Sequence, residues 1–393
     1  MRIALFSDTF YPKSDGMSTS TQNLAACLAR QGHQVLIVAP KPGRAAPPDF
    51  SIPGCDIYWL SSIPSGVYPQ LRLASWSPKL HRKLKEFNPE IVHAMAPMPV
   101  SLTGISYAYL HHLPVVMTFH TYFMEPEYLK VIKVQTASEL IADLGWDLAK
   151  SVHARAQITI APSDFVAQDL KSRHFKEPIL TIPSGIDFDK IKINKEKIDK
   201  LSTKYELNGH PVVITVGRVS VEKNLRCLLR IFAQVVQKIP AARLVVVGGG
   251  PDLAAIKKYA LSHHVDSQVV FTGDIPHDQI FAAGYYHLGQ IFVTASTSET
   301  QGMTAVEAQA CGLPVVAYHS KGLPFVVGDA GVLVAEHDEQ AMSQALIDLL
   351  SHGNKLQHLK QLTQRNIQRF DLNNTTAQMV AAYQQAQTLL AAS

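Results

Sequence analysis

Cysteine is scarce in this chain. Cys27, Cys55, Cys227 and Cys311 are its four among 393 residues, and none forms a C-x-x-C pair or a zinc-type spacing with another. That scatter excludes a disulfide framework and reads as buried thiols of a reducing compartment. Charge is also sparse, at 17% of residues, and nearly balanced: 36 Lys and Arg against 32 Asp and Glu leave +4. So mild an excess does not argue for nucleic acid as a partner. No apolar run approaches the roughly 18 residues of a membrane span. The opening Met1-Arg2-Ile3-Ala4-Leu5-Phe6-Ser7-Asp8 breaks its short apolar run with an acid, unlike a signal peptide. The expected location is the cytoplasm. The 47% hydrophobic content excludes a disordered chain, and the length suits two α/β domains rather than one.

What is present is a series of short β-prone apolar runs, each followed by a loop and a helical pattern. Arg2–Ser7 leads through Asp8-Thr9-Phe10-Tyr11-Pro12 and Gly16 into a helix over 19–31, with Gly32 ending it and 34–39 as the next strand. Strand, glycine loop, helix and strand form a βαβ unit, which implies a parallel sheet whose ligands gather at the carboxyl ends of its strands. Further strands are expected at 57–60, 91–94, 114–118, 158–163 and 180–183, with a helix over 100–112. A second series runs 211–218, 244–251, 269–275, 291–294, 315–317 and 330–334. A long helix over 375–392 ends the chain. The Lys-rich stretch 190–204 reads as a linker, so the expected domains are 1–189 with 375–393, and 190–374.

Four features carry chemistry. In Thr297 to Pro314, Glu299 should lie in the loop leaving a strand, and Glu307 about a turn inside the helix that Gly302 precedes and Gly312 ends. A helix N-terminus is a seat for phosphate, and carboxylates on either side of it accept hydrogen bonds from hydroxyls, a geometry that fits a nucleotide sugar. Taken singly, the two glutamates read as a loop residue and a solvated helix residue. Gly217 ends a strand and places Arg218 at its carboxyl edge with Lys223 close by; a planar guanidinium and a compact ammonium suit a diphosphate, where the plainer reading is two surface cations. His120 stands at a strand exit, where a neutral imidazole both donates and accepts. The helix over 76–87 carries Lys79, Arg82, Lys83 and Lys85 beside Trp76; it is either a solvated helix packed by Leu80 and Leu84 or a surface for anionic headgroups.

The spellings E-x7-E followed by A-C-G-L-P-V-V, G-R-x-x-x-E-K-N from Gly217 to Asn224, and I-P-S-G at 182–185 closely resemble retaining glycosyltransferases of family 4. The resemblance covers nearly the whole chain. It implies the GT-B architecture, α/β with two Rossmann-like parallel-sheet domains facing one cleft and a C-terminal helix crossing back to the first. It implies transfer of a hexose from a nucleoside diphosphate sugar, with His120, Arg218, Lys223 and Glu299 as catalytic residues. Glu299 would hold the transferred sugar and Glu307 the ribose. Gly302, Met303 and Thr304 would offer backbone amides to sugar and diphosphate, Gly16 and Met17 would face the diphosphate together with Gly217, and Asp274 and Ile275 would meet the base. No metal or other cofactor is expected, and Asp187-Phe188-Asp189 reads as linker rather than as a metal site.

Glu299-Thr300-Gln301-Gly302 is the spelling of bacterial diacylglycerol glucosyltransferases within the family. His120-Thr121 with Glu127-Tyr128 resembles their H-T-x-Y-E-x-Y at a longer spacing. The expected acceptor is a membrane glycerolipid, reached by peripheral attachment to the inner face of the membrane through the basic helix. A soluble sugar, polyol or glycan acceptor is the alternative, and a non-catalytic sugar-nucleotide-binding protein the reading from another class.

Overall fold

The structure, a computed structural model, describes residues 1–12, 15–43, 49–65, 72–74, 76–122 and 138–392, with the backbone alone for 138–141. Two compact units divide it: Met1–Gly185 with Leu372–Ser393, and Ile186–Asp371.

In the first unit the strands are β1 (Arg2–Phe6), β2 (Gln34–Pro40), β3 (Cys55–Leu60), β4 (Ser62–Pro64), β5 (Arg72–Ala74), β6 (Ile91–Ala94), β7 (Val115–Thr118), β8 (Ile158–Ala161) and β9 (Ile179–Thr181). Seven of them make one sheet in the order β3-β2-β1-β6-β7-β8-β9, and every neighbouring pair is parallel. The strand residues are apolar on both faces because both faces are covered. On one face Ile3, Leu5, Ile37 and Val116 pack with Leu24 and Leu28 of the helix Gly16–Arg30. On the other, Ala4, Phe6, Val92 and Met117 pack with Leu80 and Leu84 of the helix Pro78–Phe87 and with Val100 and Ile105 of the helix Pro99–Leu110. β4 and β5 form an antiparallel hairpin that the sequence pattern did not indicate.

The last helix, Leu372–Ala391, belongs to this unit: Met379, Ala382, Tyr383 and Ala386 join the core of the first face. Its entry is tight, since a Cβ on Gly185 would meet Leu372 Cα at 2.7 Å.

In the second unit β10 (Val212–Val216), β11 (Arg243–Val247), β12 (Val269–Phe271), β13 (Ile291–Thr294), β14 (Val315–Tyr318) and β15 (Gly331–Val334) form a parallel sheet ordered β12-β11-β10-β13-β14-β15. Counted within the unit this order is 3-2-1-4-5-6, whose switch point lies between β10 and β13. The division between units falls ahead of the expected 189/190 and 374/375. Ile186 N–H donates to Phe370 O at 2.8 Å, and Ile186, Ile367 and Phe370 are buried in a core of the second unit. Apolar burial fixes the boundary at 185/186, where the sequence pattern had placed it at the Lys-rich stretch.

Candidate functional site

The segments leaving β10 and β13, on either side of the switch point, bring five of the expected residues together. Gly217, Arg218, Lys223, Glu299 and Thr304 line one pocket with Thr215, Val216 and Thr294. Local chemistry sets each of them. The turn Val221–Lys223 ends at Asn224, which takes a left-handed backbone with φ 50°. Asn224 Nδ2 donates to Ala295 O at 3.3 Å, and Ser296 Oγ donates to Glu222 O at 3.3 Å, so the turn carrying Lys223 is tied to the exit of β13. Ser220 Oγ closes it by donating to Glu222 Oε1 at 2.5 Å. Lys223 Nζ then reaches Glu299 Oε1 at 2.5 Å.

Glu299 is little exposed. Burial pushes its carboxyl up, but the ammonium of Lys223, its hydrogen bond, the Ser296 hydroxyl and the charge of Lys321 outweigh it and hold the group below the ordinary value. The site therefore contains a fixed carboxylate beside cations.

Glu299 leads into the helix Met303–Ala310 through Gly302, whose φ of +89° is left-handed and whose added Cβ would meet Leu323 Cδ2 at 3.0 Å. Only glycine takes that backbone without strain, so the helix start depends on it. The glycine run 248–250 is explained by packing. A Cβ on Gly248 would lie 2.1 Å from Gly217 O and one on Gly250 2.3 Å from Val219 O, so these glycines let the β11 exit lie against the loop carrying Arg218. Val219 N–H donates to Gly249 O at 2.8 Å across that contact. Asp274 is exposed and Ile275 half-buried just beyond β12.

Glu307 lies inside the helix, 3% exposed, and is not solvated. Its Oε1 accepts from His277 Nε2 at 2.8 Å and its Oε2 from the Tyr286 hydroxyl at 2.6 Å. The carboxylate of Glu307 is the main cause that raises the His277 imidazole above its ordinary value, against the effect of burial. Neither partner was legible, because each comes from an element 21 to 30 residues away along the chain.

In the first unit, Asp15 starts the helix Gly16–Arg30 by accepting from Ser18 N at 2.8 Å; Gly16 is exposed and Met17 is buried against Met95 and Ala96. His120 stands just past β7, as expected, in a pocket of this unit shared with His93, Thr118, Ser184, Thr375 and Thr376. Burial lowers its imidazole to about 4, so it is neutral at physiological pH. Beneath it, fully buried His93 bonds Tyr383 OH through Nδ1 at 2.8 Å and Thr118 Oγ1 through Nε2 at 2.7 Å. Asp8, also buried, was read only as an interruption of an apolar run. It caps the helix Pro99–Leu110, whose own N-cap Met98 makes no side-chain bond. It accepts from Val100 N at 2.7 Å and from Ser101 Oγ at 2.8 Å.

Asp187 Oδ1 accepts from Asp189 N at 3.2 Å and so caps the turn Phe188–Lys190. The basic helix begins at Pro78 with Ser77 as cap, so Trp76 precedes it. Lys79, Arg82 and Lys85 are exposed, whereas Lys83 pairs with Asp56 at 3.0 Å. Glu127 and Tyr128 lie outside the described residues.

Two parallel-sheet nucleotide-binding folds, one with cations and a carboxylate gathered at its switch point, define a sugar-nucleotide-dependent transferase class. Two family models match the chain: "Glycosyltransferase Family 4" over 14–190 and "Glycosyl transferases group 1" over 197–366. The chain belongs to the family 4 glycosyltransferases. It is 29% identical to the alpha-monoglucosyldiacylglycerol synthase of Streptococcus pneumoniae over 89% of this chain and 78% of that one. To the synthase of the same name from Acholeplasma laidlawii it is 26% identical, over 86% of each. Among solved structures it resembles Anabaena HepE in complex with UDP-glucose, with a TM-score of 0.76 and 18% identity over 97% of this chain and 99% of that one. The last likeness concerns the GT-B fold. No helix among the described residues is long and apolar enough to cross a membrane.

Proposed function

We propose that this glycosyltransferase moves glucose from UDP-glucose, with retention at the anomeric carbon, to the free hydroxyl of a diacylglycerol-type lipid at an anionic membrane surface. The observation that carries the donor half is the pocket at the β10/β13 switch point, where Arg218, Lys223, Glu299 and Thr304 converge. In this reading the bond between the sugar's anomeric carbon and the diphosphate oxygen breaks while the departing UDP is stabilised by Arg218, Lys223 and the N-terminus of the helix Met303–Ala310. The acceptor oxygen bonds to the anomeric carbon from the same face, and its proton passes to a leaving phosphate oxygen. Glu299 holds the sugar hydroxyls. No metal takes part.

The acceptor half rests on the Glu299-Thr300-Gln301-Gly302 spelling, on the names of the two synthases, and on one surface of the first unit. Just ahead of the basic helix in the chain, Ile63 and Leu73 are paired across β4 and β5 at 66% and 37% exposure, and Trp76 is 57% exposed. Exposed apolar and aromatic side chains next to cations suit the headgroup boundary of a bilayer.

The test is a donor screen read by released nucleoside diphosphate, run with diacylglycerol in anionic vesicles, with vesicles lacking it, and with soluble sugars. UDP release from UDP-glucose that depends on diacylglycerol is expected. Release that depends on a soluble sugar instead would reassign the acceptor, and no release with any acceptor would leave only a binding protein.

A further inference from the structure

Glu307 presents a conflict that the functional reading must resolve. Both of its carboxylate oxygens are engaged, Oε1 with His277 Nε2 at 2.8 Å and Oε2 with the Tyr286 hydroxyl at 2.6 Å. Yet this is the carboxylate expected to receive the two ribose hydroxyls of the donor. Each oxygen has a second lone pair, but the Glu307 side chain is only 4% exposed, so little of it is open to a ligand from outside.

The two partners differ in how easily they leave. Tyr286 is 1% exposed, is packed in the core with Phe281 and Phe292, and its hydroxyl also reaches Thr304 O at 3.4 Å. His277 is 30% exposed. It is the first residue of the short helix His277–Ala283, whose cap Pro276 makes no side-chain bond, and its ring meets that of Phe281 edge-on at 5.7 Å. Of the two partners the imidazole is the one open to solvent, and so the one a ligand from outside can replace.

We propose that His277 occupies the place of the donor ribose on Glu307, and that donor binding displaces it, so that His277 sets donor affinity as a competing internal ligand. This rests on the donor reading given above.

The competition carries a pH dependence whose sign follows from the surrounding charges. The groups that act on His277 are Glu307 across the contact, Asp278 on its own helix and Lys190 from the turn Phe188–Lys190. The two acids favour the imidazolium and Lys190 opposes it, and Glu307 has the largest effect. The imidazole therefore stays charged to a higher pH than an ordinary histidine. A charged hydrogen bond to a carboxylate is harder to displace than a neutral one. Donor affinity should rise as pH increases and His277 loses its proton.

The experiment is calorimetric titration of the full chain with UDP at pH 6 and pH 8.5, for wild type, His277→Ala and His277→Lys. Comparison with His277→Ala cancels the titration of the UDP terminal phosphate, which falls near pH 6. At pH 6 the alanine variant, which has no imidazole to displace, is expected to bind about tenfold or more tighter than wild type, the net worth of one hydrogen bond between charged groups. The gap should shrink at pH 8.5. The lysine variant, charged throughout, should stay weak at both. A second readout is the imidazole NMR titration: saturating UDP should lower the His277 midpoint by removing its carboxylate partner, whereas inorganic diphosphate, which has no ribose, should not. Equal pH dependence in wild type and His277→Ala, or weaker UDP binding by His277→Ala at both pH values, overturns the competition. If wild type binds no UDP at either pH, the donor reading itself fails and this inference with it.

Discussion

Lys223 Nζ and Glu299 Oε1 lie 2.5 Å apart, joining the turn after β10 to the loop after β13, 76 residues further along the chain. The ammonium does two things at once. It keeps a little-exposed carboxylate ionised, and in the proposed reaction it stands where a leaving diphosphate would develop charge. Lys223→Ala is expected to lower kcat with UDP-glucose by on the order of 2–4 kcal/mol of barrier, the scale of losing one preorganised charge. Without the ammonium, burial acts on Glu299 with less opposition and its carboxyl rises. The variant's residual activity should therefore fall away at a higher pH on the acid side than that of wild type. A pH–rate profile for both proteins checks this, and an unchanged acid limb would mean that Lys223 does not govern Glu299.

In the proposed reaction Arg218 and Lys223, with the N-terminus of the helix Met303–Ala310, would supply the positive charge that a divalent ion supplies elsewhere. Turnover is expected to persist in excess chelator. The measurement is UDP release after dialysis against EDTA. Loss of activity that manganese or magnesium restores would contradict the proposed charge arrangement.

Two glycines, both at positive φ, should separate strain with a side-chain contact from strain with a backbone collision. Gly302→Ala places a Cβ on a left-handed residue and 3.0 Å from Leu323 Cδ2, the end of a side chain rather than backbone. A loss of about 1–2 kcal/mol is expected, the usual penalty for a non-glycine residue in that region. Gly248→Ala instead drives a Cβ to 2.1 Å from the backbone oxygen of Gly217, which cannot yield without moving the loop that carries Arg218. Denaturant titration should rank Gly248→Ala as clearly the more destabilising.

Much of this arrangement was legible in the sequence, for physical reasons. Parallel strands buried on both faces read as short apolar runs, and βα loops at their carboxyl ends are where ligand chemistry concentrates. So the neighbourhood of Arg218, Lys223 and Glu299 followed from local pattern and spelling. The partners of Glu307 did not, because a hydrogen bond between a helix and two segments 21 and 30 residues away has no periodicity to betray it. Asp8 failed for a related reason: it caps a helix more than 90 residues on. The pairing of Lys83 with Asp56 of β3 was likewise not legible, because the two lie 27 residues apart.

The first unit should be acid-labile. Burial lowers His93 and His153 from 6.5 to about 3, and His120 to about 4. Each is neutral when folded and protonates when unfolded, so its contribution is present above pH 6.5 and is lost as pH falls towards its folded value. Asp8 acts the other way: raised from 3.8 to about 6, it binds its proton more tightly in the fold and adds stability as pH falls through that window. Three protons favouring the unfolded chain less one favouring the fold leaves two. Between about pH 6 and 4 the slope should be on the order of 3 kcal/mol per pH unit. All three tryptophans, Trp59, Trp76 and Trp146, lie in this unit, so their fluorescence in denaturant titrations at pH 7.5, 6 and 5 reports it directly. A midpoint that does not move over that range would show that these histidines are accessible to protons in the folded protein.

The basic helix gives the last prediction, and the structure sharpens it. Lys79, Arg82 and Lys85 are exposed, while Lys83 is held by Asp56 at 3.0 Å. Each free cation near an anionic bilayer contributes about 1 kcal/mol, and the attraction weakens within a Debye length as salt rises. Apolar contact adds to it through Ile63, Leu73 and Trp76. The protein is expected to co-sediment with phosphatidylserine-containing vesicles, more at low salt than at high, and not with neutral vesicles. Changing Lys79, Arg82 and Lys85 to Gln together should abolish most of this. Lys83→Gln alone should weaken binding about as much as any of the other three singly, because it leaves the Asp56 carboxylate without its ammonium and so also lowers the net charge by one. Trp76→Ala should weaken binding in a manner insensitive to salt. UDP binding, carried by the second unit, should be the same in all of these variants. Sedimentation unchanged in the triple variant would reduce this helix to an ordinary solvated face, and would move the acceptor away from the membrane.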